Sequence, residues 1–202
     1  LKEPSGLFFY GCKCYNPVMK KTRINIIGNF CIAASLSFFI FLFYPVLAIY
    51  LFPTPVPESP SKGIELWIPK IHAVGTVVAN VDPWNRTEYE QALKHGIAAA
   101  KGFALPGEKG PIYLFAHSSG LPWEITRYNT VFLRLGELKK HDQIIMWRDG
   151  RKYDYKVIDI KEVIPTQVEE VTKVKQDILI IQTCTPIGTD WKRLLVFAKE
   201  NK

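Results

Sequence analysis

Two regimes of hydrophobic patterning divide this 202-residue chain. Phe30 to Phe52 is an uncharged, almost unbroken apolar run, whereas from Ile64 onward short apolar runs alternate with polar positions. As a helix rising ~1.5 Å per residue the first run reaches ~34 Å, enough to cross a hydrocarbon core of ~30 Å. It predicts one transmembrane helix, kinked at Pro45 by the loss of a backbone hydrogen bond that membrane helices tolerate. A cleaved signal peptide is the alternative, but the run is longer than a usual signal core and Ala48-Ile49-Tyr50 offers no small-x-small cleavage site. Residues 53–63, with prolines at 53, 55, 57 and 60, predict an extended, semi-rigid stalk.

Beyond the stalk the strand period dominates. Ile64–Ile68, Ile71–Ala79, Ile112–Ala116, Gln143–Trp147, Lys152–Ile164, Asp177–Cys184 and Trp191–Ala198 are rich in Val, Ile, Leu and aromatics and bounded by Gly, Pro or Asp. Asp149-Gly150 between two of these runs is a two-residue hairpin signal. Two helices interrupt the strands. The first starts near Thr87, where Thr87-x-x-Glu90 reads as a capping box ahead of Tyr89, Leu93 and Ile97 at helical spacing; the second covers about Asn129 to Leu138. The fold class expected is mainly β: a closed β-barrel of seven to eight strands with short helices, preceded by one N-terminal transmembrane helix.

Charge orients this scheme. Of the net +7, residues 1–29 carry +4, from Lys2, Lys13, Lys20, Lys21 and Arg23 against Glu3, and no charge appears after the apolar run until Glu58. The positive-inside rule then places a basic arm (1–29) in the cytoplasm, the span at 30–52, the stalk at 53–63 and a folded domain (64–202) outside the cell membrane. Without a concentrated Lys/Arg run outside the arm, no nucleic-acid partner is expected. Cys12 and Cys14 fall on the arm and Cys31 in the span, so Cys184 is the sole cysteine of the external part and no disulfide can form within it. A solitary thiol in an oxidising space is either shielded in a core or used as a nucleophile.

Cys184 closes an apolar strand at Thr183-Cys184, a Pro/Gly loop comes next, and Arg193 stands at the start of the next apolar strand. If the two strands pair, thiol and guanidinium meet at one end of the sheet. A thiol needs an imidazole to take or give its proton, and His117 ends another apolar strand. Arg193 keeps its proton and would serve as a fixed donor to a developing oxyanion or to substrate backbone. Thr183 is a candidate substrate-binding residue or a plain strand threonine. His72, His95 and His141 lack a comparable setting and are read as structural.

These residues resemble the sortase family. Gln182-Thr183-Cys184 matches the end of its Thr-Leu-x-Thr-Cys pattern, with Ile180 and Ile181 in place of the usual Thr and Leu; Thr185-Pro186-x-Gly188 and Arg193-Leu194-Leu195-Val196 resemble the family's loop and next strand after the cysteine. Ile68-Pro69-Lys70-Ile71, Leu105-Pro106-Gly107 and Phe115-Ala116-His117-Ser118 resemble further family segments in the right order, so the likeness spans residues 64–199. It implies a two-step acyl transfer. Cys184 attacks the carbonyl of a Leu-Pro-x-Thr-Gly-like sorting motif on a secreted protein, His117 protonates the leaving amine, and Arg193 assists. An amine from a cell-wall precursor or pilin then takes the acyl group, without metal or organic cofactor.

Pilin-polymerising members of that family carry a lid with an Asp-Pro-aromatic motif, but Asp82-Pro83-Trp84 comes after the Ile68–Ile71 strand rather than before the barrel, and is read as the turn into the first helix. The acidic residues are too scattered for a calcium site. Papain-like proteases place Cys before His, and L,D-transpeptidases carry a short Gly-Cys-x-Arg pattern; neither fits. The reading of a different class is a membrane-tethered β-barrel that binds a partner and catalyses nothing.

Overall fold

The computed structural model describes residues 17–51, 62–118, 130–168, 171 and 173–201. Cys12, Cys14, most of the proline-rich stalk and Asn129 lie outside them. The chain divides into two units, residues 1–42 and 43–202. Helix α1 spans Pro17–Leu51, 35 residues, opening on a proline whose missing N–H costs nothing in the first turn. Within it Asn25–Tyr44 is long and apolar enough to cross a membrane. Ser35 returns its hydroxyl to the Cys31 carbonyl at 2.8 Å, so this polar side chain in its middle is satisfied by the helix itself.

The second unit holds a closed barrel. Its strands are β1 (Ile64–Ile68), β2 (Ala73–Val81), β3 (Ile97–Ala100), β4 (Ile112–Phe115), β5 (Gln143–Arg148), β6 (Arg151–Val163), β7 (Ile178–Thr185) and β8 (Lys192–Glu200). They close in the order β1-β2-β3-β4-β7-β8-β6-β5. Most neighbours are antiparallel. The exceptions are β2–β3, joined through helix α2 (Arg86–His95), and β4–β7, which lie parallel. The β5–β6 hairpin turns at Asp149 (φ 49°) and Gly150 (φ 81°), the two positive dihedrals an Asp-Gly primed turn requires.

The interior is filled by alternate residues of each strand, among them Leu66, Ile68, Leu114, Ile144, Met146, Val157, Leu179, Ile181 and Val196, with Phe132 from the β4–β5 connection. A second apolar cluster covers the opposite face of β4, β7 and β8, formed by Tyr113, Ile178, Ile180 and Leu195 with Phe103 and Phe115 packed on it. This accounts for the unbroken run Ile178-Leu179-Ile180-Ile181: a strand buried on both faces has no polar side to alternate with.

Four local expectations change. The first helix starts slightly earlier, with Asn85 as its N-cap: Asn85 accepts from the Glu88 backbone N–H at 3.3 Å, while Glu88 reaches back to the Asp82 N–H at 3.0 Å. Glu90, assigned to a box with Thr87, pairs with Arg86 at 2.7 Å instead. Ile97 does not continue that helix. Gly96 (φ 149°) ends it, in a space where a Cβ would collide with the Thr76 carbonyl oxygen, and Ile97–Ala100 becomes β3. Over residues 130–138 the backbone forms consecutive turns and a 3-10 turn (Leu135–Glu137) rather than an α-helix, with N–H groups bonded three residues back. Thr130, Val131 and Gly136 are poor helix formers, and the burial of Phe132, Leu133, Leu135 and Leu138 decides the path. Strand β2 begins at Ala73 because Pro69–Ile71 forms a 3-10 turn ending on left-handed His72 (φ 53°).

Candidate active site

The alternation along β7 sorts the site. Leu179 and Ile181 point into the barrel, so Thr183 does too, while Ile178, Ile180, Gln182 and Cys184 share the other face. Strand β8 pairs with β7 in a register that sets Arg193 opposite Cys184. Strand β4 pairs with β7 on the other side, with Phe115 opposite Gln182, so that His117, two residues on, leaves the sheet beside the same end. Residues from three separate strand ends therefore converge on one cleft, of about 910 Å³, whose lining includes His117, Thr183, Cys184 and Arg193.

Hydrogen bonds hold Thr183, the residue before His117 and Arg193. The Thr183 side chain is only 3% exposed, and its hydroxyl donates to the Ala116 carbonyl at 2.9 Å, tying the thiol's strand to the residue before His117. The Ala116 N–H donates in turn to the Gln182 carbonyl at 3.2 Å. Arg193 donates from Nη1 to the Asp190 carbonyl at 2.8 Å and the Lys192 carbonyl at 3.3 Å, so the β7–β8 loop anchors one corner of its guanidinium. That loop is itself closed by Thr189, whose N–H and hydroxyl both reach the Pro186 carbonyl, at 3.0 and 2.8 Å.

Burial governs the electrostatics. It pushes the Cys184 thiol up from its ordinary pKa, with the Arg193 charge pulling it back down and Asp190 adding to the rise. Burial pushes the His117 imidazole below its ordinary value, partly offset by the charge of Glu90 on α2. Both shifts favour the neutral forms, thiol and imidazole.

The family model of the sortase domain matches residues 66–201. The chain belongs to the sortase family. This sortase is 29% identical over 147 residues to sortase D of Bacillus subtilis (strain 168), covering 71% of its own chain and 66% of that protein. It is 27% identical over 114 residues to sortase A of Bacillus anthracis, covering 56% of its own chain and 51% of the other. Each match thus spans less than two thirds of the relative. An X-ray structure of Clostridium perfringens sortase C with the C-terminal cell wall sorting motif superposes with a TM-score of 0.56 at 27% identity, over 76% of this chain and 75% of the other.

Sequence reasoning left part of this sortase's cleft unseen. Tyr113, Phe115 and Gln182 line it from β4 and β7, Phe103 from the segment after β3, and Pro165 from the turn after β6. The signal for Tyr113 and Phe115 was their alternation with Ile112 and Leu114, which puts them on the face His117 continues; nothing local marks Phe103 or Pro165. Asp82-Pro83-Trp84 forms the turn expected of it, with the Trp84 N–H bonded to Asp82 Oδ1 at 2.9 Å. Asp82 and Trp84 also line the cleft, and Trp84 is 81% exposed.

Proposed function

We propose that this protein is a membrane-anchored cysteine transpeptidase that cuts a Leu-Pro-x-Thr-Gly-like sorting motif and joins the upstream part to an amine. The observation that carries the reading is the register that sets Arg193 opposite Cys184, with His117 brought to the same cleft by the parallel β4–β7 pair. Cys184 Sγ, having passed its proton to His117, attacks the peptide carbonyl carbon, and the carbonyl oxygen becomes an oxyanion that the remaining N–H groups of Arg193 stabilise. The C–N bond breaks as His117 returns the proton to the leaving amine, leaving a thioester on Cys184. An incoming amine then attacks the thioester carbon, the C–S bond breaks, and His117 carries the amine's proton to the departing sulfur, so that the thiol is restored and a new amide is formed. No redox change and no cofactor enter this balance.

Thr183 acts in this scheme as a wall of the cleft and as the tie that holds the Ala116–His117 segment, its hydroxyl being spent on the Ala116 carbonyl. The apolar stretch of α1 is the single-pass anchor, with the basic arm cytoplasmic and the barrel outside the cell membrane, where secreted substrates emerge. Incubating the full chain in detergent with motif peptides, with and without triglycine, tests the scheme. An amine-linked product that disappears in Cys184→Ala supports it. A folded protein with a free thiol that cleaves no motif variant leaves the membrane-tethered binding barrel as the reading.

A further inference from the structure

Strands β4 and β7 carry a second built feature beside the thiol. Tyr113 donates its phenolic O–H to Gln182 Oε1. The phenol is enclosed, 6% exposed and packed by Phe103 and Phe115 with ring centroids 5.1 and 6.1 Å away. Burial raises its pKa, so it stays protonated and remains a donor. With Oε1 taken, the orientation of the Gln182 carboxamide is fixed and Nε2 is the end left for the cleft that Gln182 lines. Among the described residues the only buried side-chain polar atom without a partner is Asp154 Oδ1, so Nε2 is not sealed in the protein. It faces the cleft.

Gln182 and Cys184 are two residues apart on one face of β7, ~6.6 Å at ~3.3 Å per residue. An extended peptide lying along that face has a main-chain carbonyl within reach of each. The walls near Gln182 are aromatic and aliphatic, so a peptide that displaces water from Nε2 must supply an acceptor or leave the donor unsatisfied. We propose that Gln182 is a substrate-positioning residue: its Nε2 donates to a main-chain carbonyl of the peptide about two residues to the acyl side of the attacked bond, and Tyr113 locks the carboxamide in that orientation. Every peptide offers that carbonyl, so the contact sets the register of the chain over Cys184 rather than selecting a side chain. The inference rests on the peptide-transfer reading of the site.

The test uses the full chain in detergent carrying Cys184→Ala, so that binding is read without turnover, and a fluorescein-labelled Leu-Pro-Ala-Thr-Gly peptide monitored by anisotropy. Gln182→Met and Tyr113→Phe should each raise Kd about 3- to 10-fold, the range of one hydrogen bond. The double variant should be no worse than Gln182→Met alone, since Tyr113 acts through Gln182. In peptides with one main-chain carbonyl at a time reduced to methylene, a single position should cost a similar factor, and Gln182→Met should be indifferent to that position. Unchanged affinity in Gln182→Met, no peptide binding at all, or a carbonyl pattern that Gln182→Met leaves intact would overturn the inference. In the Cys184 protein, Gln182→Met should raise KM with little change in kcat. Binding with this dependence but without cleavage removes the transfer reading and keeps the role of Gln182; cleavage indifferent to Gln182→Met does the reverse.

Discussion

Replacing Thr183 by valine removes one hydroxyl from a site where shape is otherwise preserved. The lost bond is the 2.9 Å contact to the Ala116 carbonyl, in a side chain 3% exposed, so water cannot readily take its place. A buried hydrogen bond contributes about 1 kcal/mol, and an acceptor left dry costs up to ~3 kcal/mol. At about 3 °C per kcal/mol for a domain of this size, the unfolding midpoint should fall by about 3–9 °C. Ala116 carries His117, so slack in this tie also displaces the imidazole relative to Cys184. Misplacement on the order of 1 Å can cost ~100-fold in rate, and kcat/KM for peptide cleavage should drop about 10- to 100-fold. Thr183→Ser keeps the donor and loses only a methyl group, about 0.8 kcal/mol, and should retain most of the activity. Differential scanning fluorimetry and a quenched-peptide assay on the three proteins read both effects. A valine variant as stable and as active as the parent would refute the tie.

Two further outcomes rest on local contacts. Asn85→Ala should destabilise the barrel by ~1 kcal/mol by removing the N-cap of α2, whereas Thr87→Ala, inside the first turn, should change stability by less than ~0.5 kcal/mol; urea unfolding distinguishes them. Because burial raises the Cys184 thiol, its thiolate fraction at pH 7 should be below the ~3% of an unperturbed cysteine, so iodoacetamide should alkylate it slowly there and about tenfold faster per pH unit through pH 8. Arg193→Leu removes the charge that opposes this rise and should slow alkylation further; an unchanged rate would deny Arg193 any electrostatic reach to the thiol.

How much of the fold could be read from sequence was set by how local each cause is. The Asp149-Gly150 hairpin and the apolar runs of β1, β4, β5, β7 and β8 are local, and they appear within a few residues of where the pattern puts them. β3 was invisible because Ile97-Ala98-Ala99-Ala100 is helix-forming in composition and Ile97 extends the spacing of Tyr89 and Leu93; the close approach of Gly96 to Thr76, on a different strand, decides it. The α2 cap shifted for a similar reason, since Asn85 and Thr87 both precede a Glu by three and only the turn at Asp82 selects between them. Cys184 and Arg193 were legible because one short loop joins their strands. The position of His117 depends on the parallel β4–β7 pairing across 67 residues, which no local pattern states, and the Tyr113–Gln182 contact depends on it as well.

In the proposed reaction Cys184 carries the acyl group. Intact-mass analysis of the full chain, quenched in acid within seconds of mixing with a Leu-Pro-Ala-Thr-Gly peptide and then mapped by proteolysis, tests it most directly. The expected result is a mass increase equal to the peptide segment before glycine, located on Cys184, lost on addition of triglycine or hydroxylamine and absent in Cys184→Ala. Peptide cleavage with no adduct on Cys184, or an adduct that persists in Cys184→Ala, would contradict it.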